Sequence, residues 1–201
     1  KQILITGGAG YLGSILVPML LEEDYKVHVL DCFYFGRSSL AKFQNHPNLK
    51  FTEIDVAHHE NIPGLLKEID TVIHLSGMSN DPTGDLDPNL TIQTNFLSTM
   101  SLARRAKAEG VKKFIFISSC SVYGASGENI LDEQSPVAPV TLYALSKLQC
   151  ENELFPLTDS KFSVTALRFA TLFGYSPRMR FDLAVNVMAK RALQGKTILL
   201  N

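Results

Sequence analysis

The sequence lacks the features that mark several classes of protein. It has no tryptophan and only three cysteines in 201 residues. Cys32, Cys120 and Cys150 are odd in number and share no metal-ligand spacing, which argues against a disulfide framework and predicts no metal site. Free cysteines are typical of a reducing compartment, so we expect a cytoplasmic protein.

Long apolar runs and long basic runs are also missing. No apolar stretch reaches the roughly 20 residues of a membrane-spanning helix. No Lys/Arg block is longer than a pair, and 19 basic and 20 acidic residues give a net charge of −1. We therefore expect no membrane and no nucleic-acid partner. The hydrophobic share of 45% is enough to bury the core of one sizeable domain.

Short apolar runs alternate with helical stretches along the whole chain. Strands are predicted at 3–6, 27–30, 50–54, 72–75, 114–118 and 163–167, and helices at 14–23, 89–109 and 142–154. Continuous apolar strands separated by amphipathic helices predict an α/β fold, a doubly wound parallel sheet covered on both faces. Such sheets bind ligands beyond the carboxyl ends of their strands. Residues 196–201 are expected to begin a further strand.

A glycine-rich turn joins the first strand to the first helix. Gly7, Gly10 and Gly13 in Thr-Gly-Gly-Ala-Gly-Tyr-Leu-Gly suit a tight turn whose backbone N–H groups can approach a pyrophosphate. Asp31 ends the second strand, where a carboxylate accepts hydrogen bonds from ribose hydroxyls and repels a 2′-phosphate. The pattern predicts NAD, although Arg37 nearby leaves NADP open. The alternative is a solvated turn with a capping Asp.

A tyrosine and a lysine lie four residues apart on the third predicted helix. Tyr143 and Lys147 share one helix face. A phenol is a poor base at neutral pH because its reference pKa is about 10, but a nearby ammonium favours the phenolate. The pair therefore indicates chemistry on alcohols and ketones. The same spacing also occurs where Tyr packs and Lys is solvated. Ser119, at the end of the fifth strand, could place a hydroxyl beside Tyr143.

In their order along the chain, these motifs resemble those of the extended short-chain dehydrogenase/reductase family, in its NAD-dependent nucleotide-sugar epimerase/dehydratase branch. The resemblance also rests on Asp55-Val56, His74-Leu75-Ser76-Gly77, Ser118-Ser119-Cys120-Ser121-Val122-Tyr123-Gly124 and Leu167-Arg168-Phe169. It implies a Rossmann fold in which residues 1–175 bind NAD. Residues 176–201 would begin a substrate domain that is largely absent from this chain. It also implies a homodimer formed through helices 89–109 and 142–154.

The resemblance further implies roles for single residues. Tyr143 would be the base, Lys147 its electrostatic partner and a contact of the nicotinamide ribose, and Ser119 would hold the substrate oxygen. The implied cofactor contacts are Gly7, Gly10, Tyr11, Leu12, Gly13, Asp31, Asp55, Val56, Leu75, Ser76, Gly77, Asn95, Tyr143 and Lys147. Two alternatives stay open: Asp55 as a turn residue and Asn95 as a buried amide bonded to backbone.

Two departures from the family pattern bear on the reaction. Dehydratases carry Asp-Glu directly after the catalytic Ser or Thr, whereas Cys120 and Ser121 stand here, which disfavours dehydration. Epimerases usually have Asn where this chain has Thr171. The residues predicted to contact a nucleotide-sugar substrate are Ser121, Thr171, Arg178, Arg180 and Asn186, although the arginines are equally consistent with surface charges.

These observations predict an NAD-dependent epimerase or oxidoreductase that moves a hydride between a sugar hydroxyl carbon and NAD. Two alternatives remain open from the sequence. One is an NAD(P)H-dependent ketone or sugar reductase of the same family, and the other is a non-catalytic dinucleotide sensor, since fold does not fix function.

Overall fold

The computed structural model describes residues 1–78, 87–125 and 130–198. Its centre is one parallel sheet with the strand order β3-β2-β1-β4-β5-β6. The strands are β1 Gln2–Thr6, β2 Lys26–Asp31, β3 Leu49–Glu53, β4 Thr71–His74, β5 Lys113–Ser119 and β6 Ser163–Phe169. The chain runs from β1 through β2 to the edge strand β3, and then returns to add β4, β5 and β6 on the other side of β1. The strand order therefore reverses between β1 and β4, where doubly wound sheets bind ligands.

Helices cover both faces of this sheet. They are α1 Gly13–Glu22, α2 Pro88–Thr91, α3 Ser98–Ala108, α4 Leu142–Leu154 and α5 Ala184–Leu193. A π-helical turn, Ile92–Leu97, joins α2 to α3, and short 3₁₀ helices occupy Ser38–Phe43, Val56–Asn61, Cys120–Tyr123 and Phe155–Leu157. The start of α4 is fixed by Thr141, whose Oγ1 accepts a hydrogen bond from the Ala144 N–H at 3.1 Å, as N-cap residues do.

The strands are buried on both faces, which explains their continuous apolar character. Leu4 of β1 packs in one cluster with Phe114 and the helices α3 and α4. Ile5, the next residue, points to the other face and packs in a second cluster with Val29 and α1. The alternation along a strand therefore divides one apolar run between two cores.

The predicted doubly wound parallel sheet is confirmed, and each predicted strand overlaps an observed one. The single helix predicted at 89–109 is instead two α-helices joined by the π-helical turn, and α5 was not predicted. Lys196 to Ile198 lie outside any strand, so that part of the strand prediction is wrong; residues 199–201 are outside the described ranges. Within those ranges, no helix is long and apolar enough to cross a membrane.

A buried ionic network fixes α4 against β5 and β6. Glu151 of α4 is 2% exposed and accepts a hydrogen bond from the Ser118 hydroxyl of β5 at 2.5 Å. Arg168 of β6 holds the same carboxylate, with Nη2 2.6 Å from Oε2, and donates to the Tyr123 hydroxyl at 2.9 Å. Because Ser118 precedes Ser119 and Glu151 lies one helical turn after Lys147, the network sets the two predicted catalytic elements side by side.

Candidate active site

The glycine loop occupies the start of α1, at the carboxyl end of β1. A β-carbon on Gly13 would lie 2.5 Å from the Gly8 backbone, so packing inside the loop requires glycine there. A β-carbon on Gly10 would meet only the Gly7 carbonyl oxygen, at 3.1 Å. Apart from this one tight contact, the space beside Gly10 is open, which fits a pyrophosphate that approaches the N–H groups at the helix start.

Alanine at these two glycines is expected to have different effects. Gly13→Ala should lower the free energy of unfolding by about 3 kcal/mol, because the methyl group meets fixed backbone. Gly10→Ala should lower that free energy by only about 1 kcal/mol, because the methyl group makes one tight contact, with the Gly7 carbonyl oxygen. It should weaken NAD binding at least about tenfold, since the methyl group fills the space left for the pyrophosphate. Urea unfolding and NAD titration check both expectations. Unchanged NAD affinity in Gly10→Ala would contradict the placement of the pyrophosphate.

Asp31 lies at the end of β2, directed at the glycine loop. Its carboxylate accepts hydrogen bonds from the Ala9 N–H at 3.0 Å and from the Phe33 N–H at 2.8 Å. Arg37, the possible partner of a 2′-phosphate, instead pairs with Glu53 at 2.5 Å. The carboxylates of Asp31 and Glu53 thus lie around the place expected for the adenosine ribose, and Arg37 is already paired with one of them. This arrangement fits NAD better than NADP.

A one-directional chain of hydrogen bonds orders the end of β4. The Asn95 carbonyl can only accept, so the Thr99 hydroxyl donates to it, at 2.7 Å. Thr99 therefore accepts from Nε2–H of His74 at 2.8 Å, and Nδ1 accepts from the Thr6 hydroxyl at 2.8 Å. Thr6 in turn accepts from the Ser76 N–H at 3.2 Å. Burial lowers the pKa of His74 to about 3, so the ring is neutral.

Asn95 brings the segment after β4 close to Lys147. The Asn95 side chain is buried, and its amide bonds both backbone groups of Met78, the N–H at 2.7 Å and the carbonyl at 3.0 Å. Gly77 has φ +154°, and a β-carbon there would lie 2.9 Å from Asn95 Oδ1 and 3.8 Å from Lys147 Nζ. The buried-amide alternative for Asn95 is therefore what the structure shows. The π-helical turn, a feature common at functional sites, carries this residue.

Lys147 is the most unusual charged residue of the site, because it is 7% exposed. Its Nζ donates to the Ile117 carbonyl at 2.8 Å and lies 4.7 Å from the Phe116 ring centroid and 5.7 Å from the Tyr143 ring centroid. Burial lowers the pKa of Lys147 to about 8. The ammonium is therefore still mostly charged at neutral pH, in surroundings where its effect on a neighbouring phenol is large.

Ser119 is the last residue of β5 and keeps a proton to donate. Its Oγ accepts hydrogen bonds from the Ser121 hydroxyl at 2.8 Å and from the Ser121 N–H at 3.2 Å. Both of these bonds leave the Ser119 hydrogen for another acceptor, such as a substrate oxygen. Ser121 thus orients the Ser119 hydroxyl by donating two hydrogen bonds to it. In the sequence, the only sign of this contact is the hydroxyl-rich motif that contains both residues.

The other predicted contacts fall into two groups. Around the glycine loop and the end of β4, the structure brings together Gly7, Gly10, Tyr11, Leu12, Gly13, Leu75, Ser76 and Gly77. Asp55, in contrast, caps the following 3₁₀ helix by accepting from the Ala57 N–H at 2.9 Å, and the Val56 side chain is buried in the core. Asp55 thus has the turn role that the sequence left open, and its contact with the cofactor stays a prediction.

The predicted substrate residues beyond β6 are mostly bonded within the protein. Thr171 is exposed, and Arg180 pairs with Asp182. Arg178 lies over the Phe35 ring, and Asn186 bonds Tyr11. These last two contacts, with residues far away in the sequence, were not predicted.

Comparison with known proteins gives one consistent family. The model of the NAD dependent epimerase/dehydratase family matches residues 3–201. A UDP-glucose 4-epimerase of Bacillus subtilis (strain 168) is 32% identical over 188 residues, covering 89% of this chain and 55% of that protein. A UDP-glucuronic acid decarboxylase 1 of Danio rerio is 27% identical over 205 residues, covering 98% of this chain and 48% of that protein.

Solved structures agree with this result. The UDP-glucuronic acid 4-epimerase of Bacillus cereus in complex with NAD superposes with a TM-score of 0.86 at 27% identity, covering 98% of this chain and 64% of that chain. The same enzyme has also been solved with UDP-glucuronic acid and NAD. The chain spans about half the length of the curated relatives it matches.

The family is NAD-dependent, and the superposed epimerase holds NAD, in agreement with the glycine loop and Asp31. NAD is therefore the cofactor. The relatives include both epimerases and a decarboxylase, so family membership leaves the reaction to be argued from the site. The chain belongs to the NAD-dependent epimerase/dehydratase family.

Proposed function

We propose that this chain is the NAD-binding part of a nucleotide-sugar epimerase that acts on a UDP-sugar. The observation that carries the proposal is the buried Lys147 ammonium, 5.7 Å from the Tyr143 ring centroid. A buried charge is costly to keep, and here it lies where it favours a phenolate. The similarity to UDP-sugar 4-epimerases supports the substrate class.

Three side chains divide the chemistry among them. Tyr143, as the phenolate, takes the proton of a sugar hydroxyl, and Lys147 stabilises the phenolate through its charge. Ser119 donates a hydrogen bond to the same sugar oxygen. NAD, when bound, supplies the acceptor for the hydride and later its donor. Tyr143 then returns the proton when the sugar has turned over and the hydride re-enters from the other face.

Asp31 and the open space beside Gly10 are the features that would hold NAD in this scheme. We propose that residues 1–175 form the cofactor domain and that residues 176–201 begin the region that binds the sugar nucleotide. We further propose a homodimer formed through the helical segment 88–108 and α4, on which Leu97 and Leu145 are exposed. Sedimentation of the full-length protein checks the dimer.

The residues after Ser119 favour epimerisation over loss of water. Cys120 and Ser121 occupy the turn directly after β5, and neither carries a carboxyl group. Elimination of water requires a proton donor and a base beside Tyr143. Reversible oxidation requires only the Tyr143 base and the hydride acceptor, which this site is equipped to support.

The test is a screen of the full-length protein with no added cofactor. UDP-glucose, UDP-galactose, UDP-glucuronic acid and UDP-N-acetylglucosamine are incubated separately, and the products are separated by chromatography while NADH absorbance is followed. We expect one epimer pair to equilibrate with no net NADH. Carbon dioxide release would replace the proposal with a decarboxylase, and water loss would replace it with a dehydratase. Stoichiometric consumption of NADH or NADPH, in a parallel set of reactions to which one of them is added, would replace it with a reductase. Binding of NAD without any turnover would indicate a sensor.

A further inference from the structure

After β6 the chain crosses the carboxyl edge of the sheet. β6 and β2 are four positions apart in the strand order, which corresponds to about 19 Å. Nevertheless Arg178, beyond the end of β6, places its guanidinium carbon 3.6 Å from the ring centroid of Phe35, in the loop after β2. Residues 174–186, which we call the strap, therefore pass over the strand ends between β6 and β2.

The strap is bonded to two atoms of Tyr11, which lies in the glycine loop directly before α1. The Tyr11 hydroxyl donates to the Gly174 carbonyl at 2.7 Å, and the Ser176 hydroxyl donates to the Tyr11 carbonyl at 2.8 Å. Ser14 of α1 lies 2.9 Å from the Ser176 hydroxyl, and both serines are 1% exposed. The Ser14–Ser176 contact is a buried hydrogen bond, which is costly to leave unmade, whereas the bond from the Tyr11 hydroxyl to Gly174 is exposed to solvent.

Asn186 closes the strap on itself. Its Oδ1 accepts from the Gly174 N–H at 2.9 Å, and its Nδ2 donates to the Arg180 carbonyl at 2.9 Å and to the Tyr11 hydroxyl at 3.2 Å. Both N–H groups of the amide are therefore used inside the protein. Through Asn186 the two halves of the strap and the glycine loop form one hydrogen-bonded unit.

Tyr11 belongs to the glycine loop, whose N–H groups would hold the pyrophosphate of NAD, so the strap is bonded to the proposed cofactor loop itself. We propose that the strap sets the rate at which NAD leaves the protein, with the Tyr11 hydroxyl and the Arg178–Phe35 contact as the positioning groups that keep it closed. The inference rests on the proposed function, because a reaction that returns its hydride to the sugar requires a retained cofactor. A reductase must instead exchange its cofactor in each cycle.

The experiment measures NAD release without any sugar. Full-length protein is loaded with fluorescent etheno-NAD and chased with excess NAD. Tyr11→Phe removes the hydroxyl that bonds Gly174. Arg178→Met and Phe35→Leu each remove one partner of the Arg178–Phe35 contact. Each variant should release the nucleotide about fivefold faster, as the loss of one hydrogen bond or of one cation–π contact implies. Tyr11→Phe combined with Arg178→Met should release it more than about fivefold but less than about 25-fold faster, because both residues bond Ser176 and contacts within one network are not additive.

Tyr175→Phe is the matched control, because it removes a phenol hydroxyl from the same strap at a residue that is 81% exposed. It should release etheno-NAD at the wild-type rate, and thermal unfolding should show that all variants are folded. Wild-type release rates in Tyr11→Phe, Arg178→Met and Phe35→Leu would overturn the proposal, as would equal acceleration by Tyr175→Phe. Because no sugar is present, a negative sugar screen refutes the proposed function but leaves this result readable.

Discussion

Replacing Tyr143 by phenylalanine should lower sugar epimerisation by about 10³-fold while NAD stays bound. The change removes the only atom of this side chain that can take the hydroxyl proton, and positioned acid–base groups contribute about 10²- to 10⁴-fold. The ring that lies 5.7 Å from Lys147 Nζ remains in place. Turnover in the full-length protein is measured with the substrate that the screen identifies, and NAD content is measured after denaturation of the purified variant.

Tyr25→Phe provides the comparison for this variant. Tyr25 lies between α1 and β2, at the opposite end of the sheet from the carboxyl ends of the strands, and packs against the core on the α1 side. Its hydroxyl has no part in the proposed reaction, so this variant should turn over at the wild-type rate. If Tyr143→Phe retains more than about a tenth of wild-type turnover, Tyr143 is not the base.

Lys147→Met should abolish most turnover and yet leave the fold as stable as before, or more stable. Burial lowers the pKa of Lys147 from 10.5 to about 8, a shift equivalent to about 3 kcal/mol of unfavourable free energy. Methionine loses the hydrogen bond to Ile117 and the contact with the Phe116 ring, together about 2 kcal/mol. The free energy of unfolding at pH 7 should therefore rise by about 1 kcal/mol.

The pH dependence of this gain has a defined sign. Between about pH 8, the pKa of Lys147 in the folded protein, and 10.5, its ordinary value, the unfolded chain binds a proton that the folded chain does not. Wild-type stability therefore rises with pH in that window, and the advantage of Lys147→Met shrinks as pH rises. Urea unfolding of both proteins between pH 7 and 10 measures this difference in stability. Lys42→Met, at an exposed position, is the control. A clear loss of stability at pH 7 in Lys147→Met would contradict the account.

The sheet was predictable because each strand is buried on two faces. Leu4 and Ile5 belong to different cores, yet both appear in the sequence as one apolar run. Asp31 and Ser119 were predicted at strand ends, and in a parallel sheet those ends meet at one edge. For these residues, the position predicted from the local sequence therefore agrees with their position in the folded sheet.

The π-helical turn and the strap could not be predicted in the same way. The segment Ile92–Leu97 has no local sequence signal that separates it from an ordinary helix, and its conformation accompanies the Asn95 contacts with Met78. Arg178 and Asn186 were predicted as substrate contacts because of their residue types. Their observed partners, Phe35 and Tyr11, become neighbours only when the chain crosses the sheet.

The hydrogen-bond direction at His74 has a consequence for the acid side of the pH profile. A second proton on the ring would have to sit on Nδ1, which already accepts from Thr6, so the Thr6 hydroxyl would turn away and the bond network beside Ser76 would be disturbed. With a pKa of about 3, His74 keeps one protonation form while Lys147 titrates. His74 thus connects β1 to the π-helical turn through fixed hydrogen bonds. It does not carry protons near neutral pH.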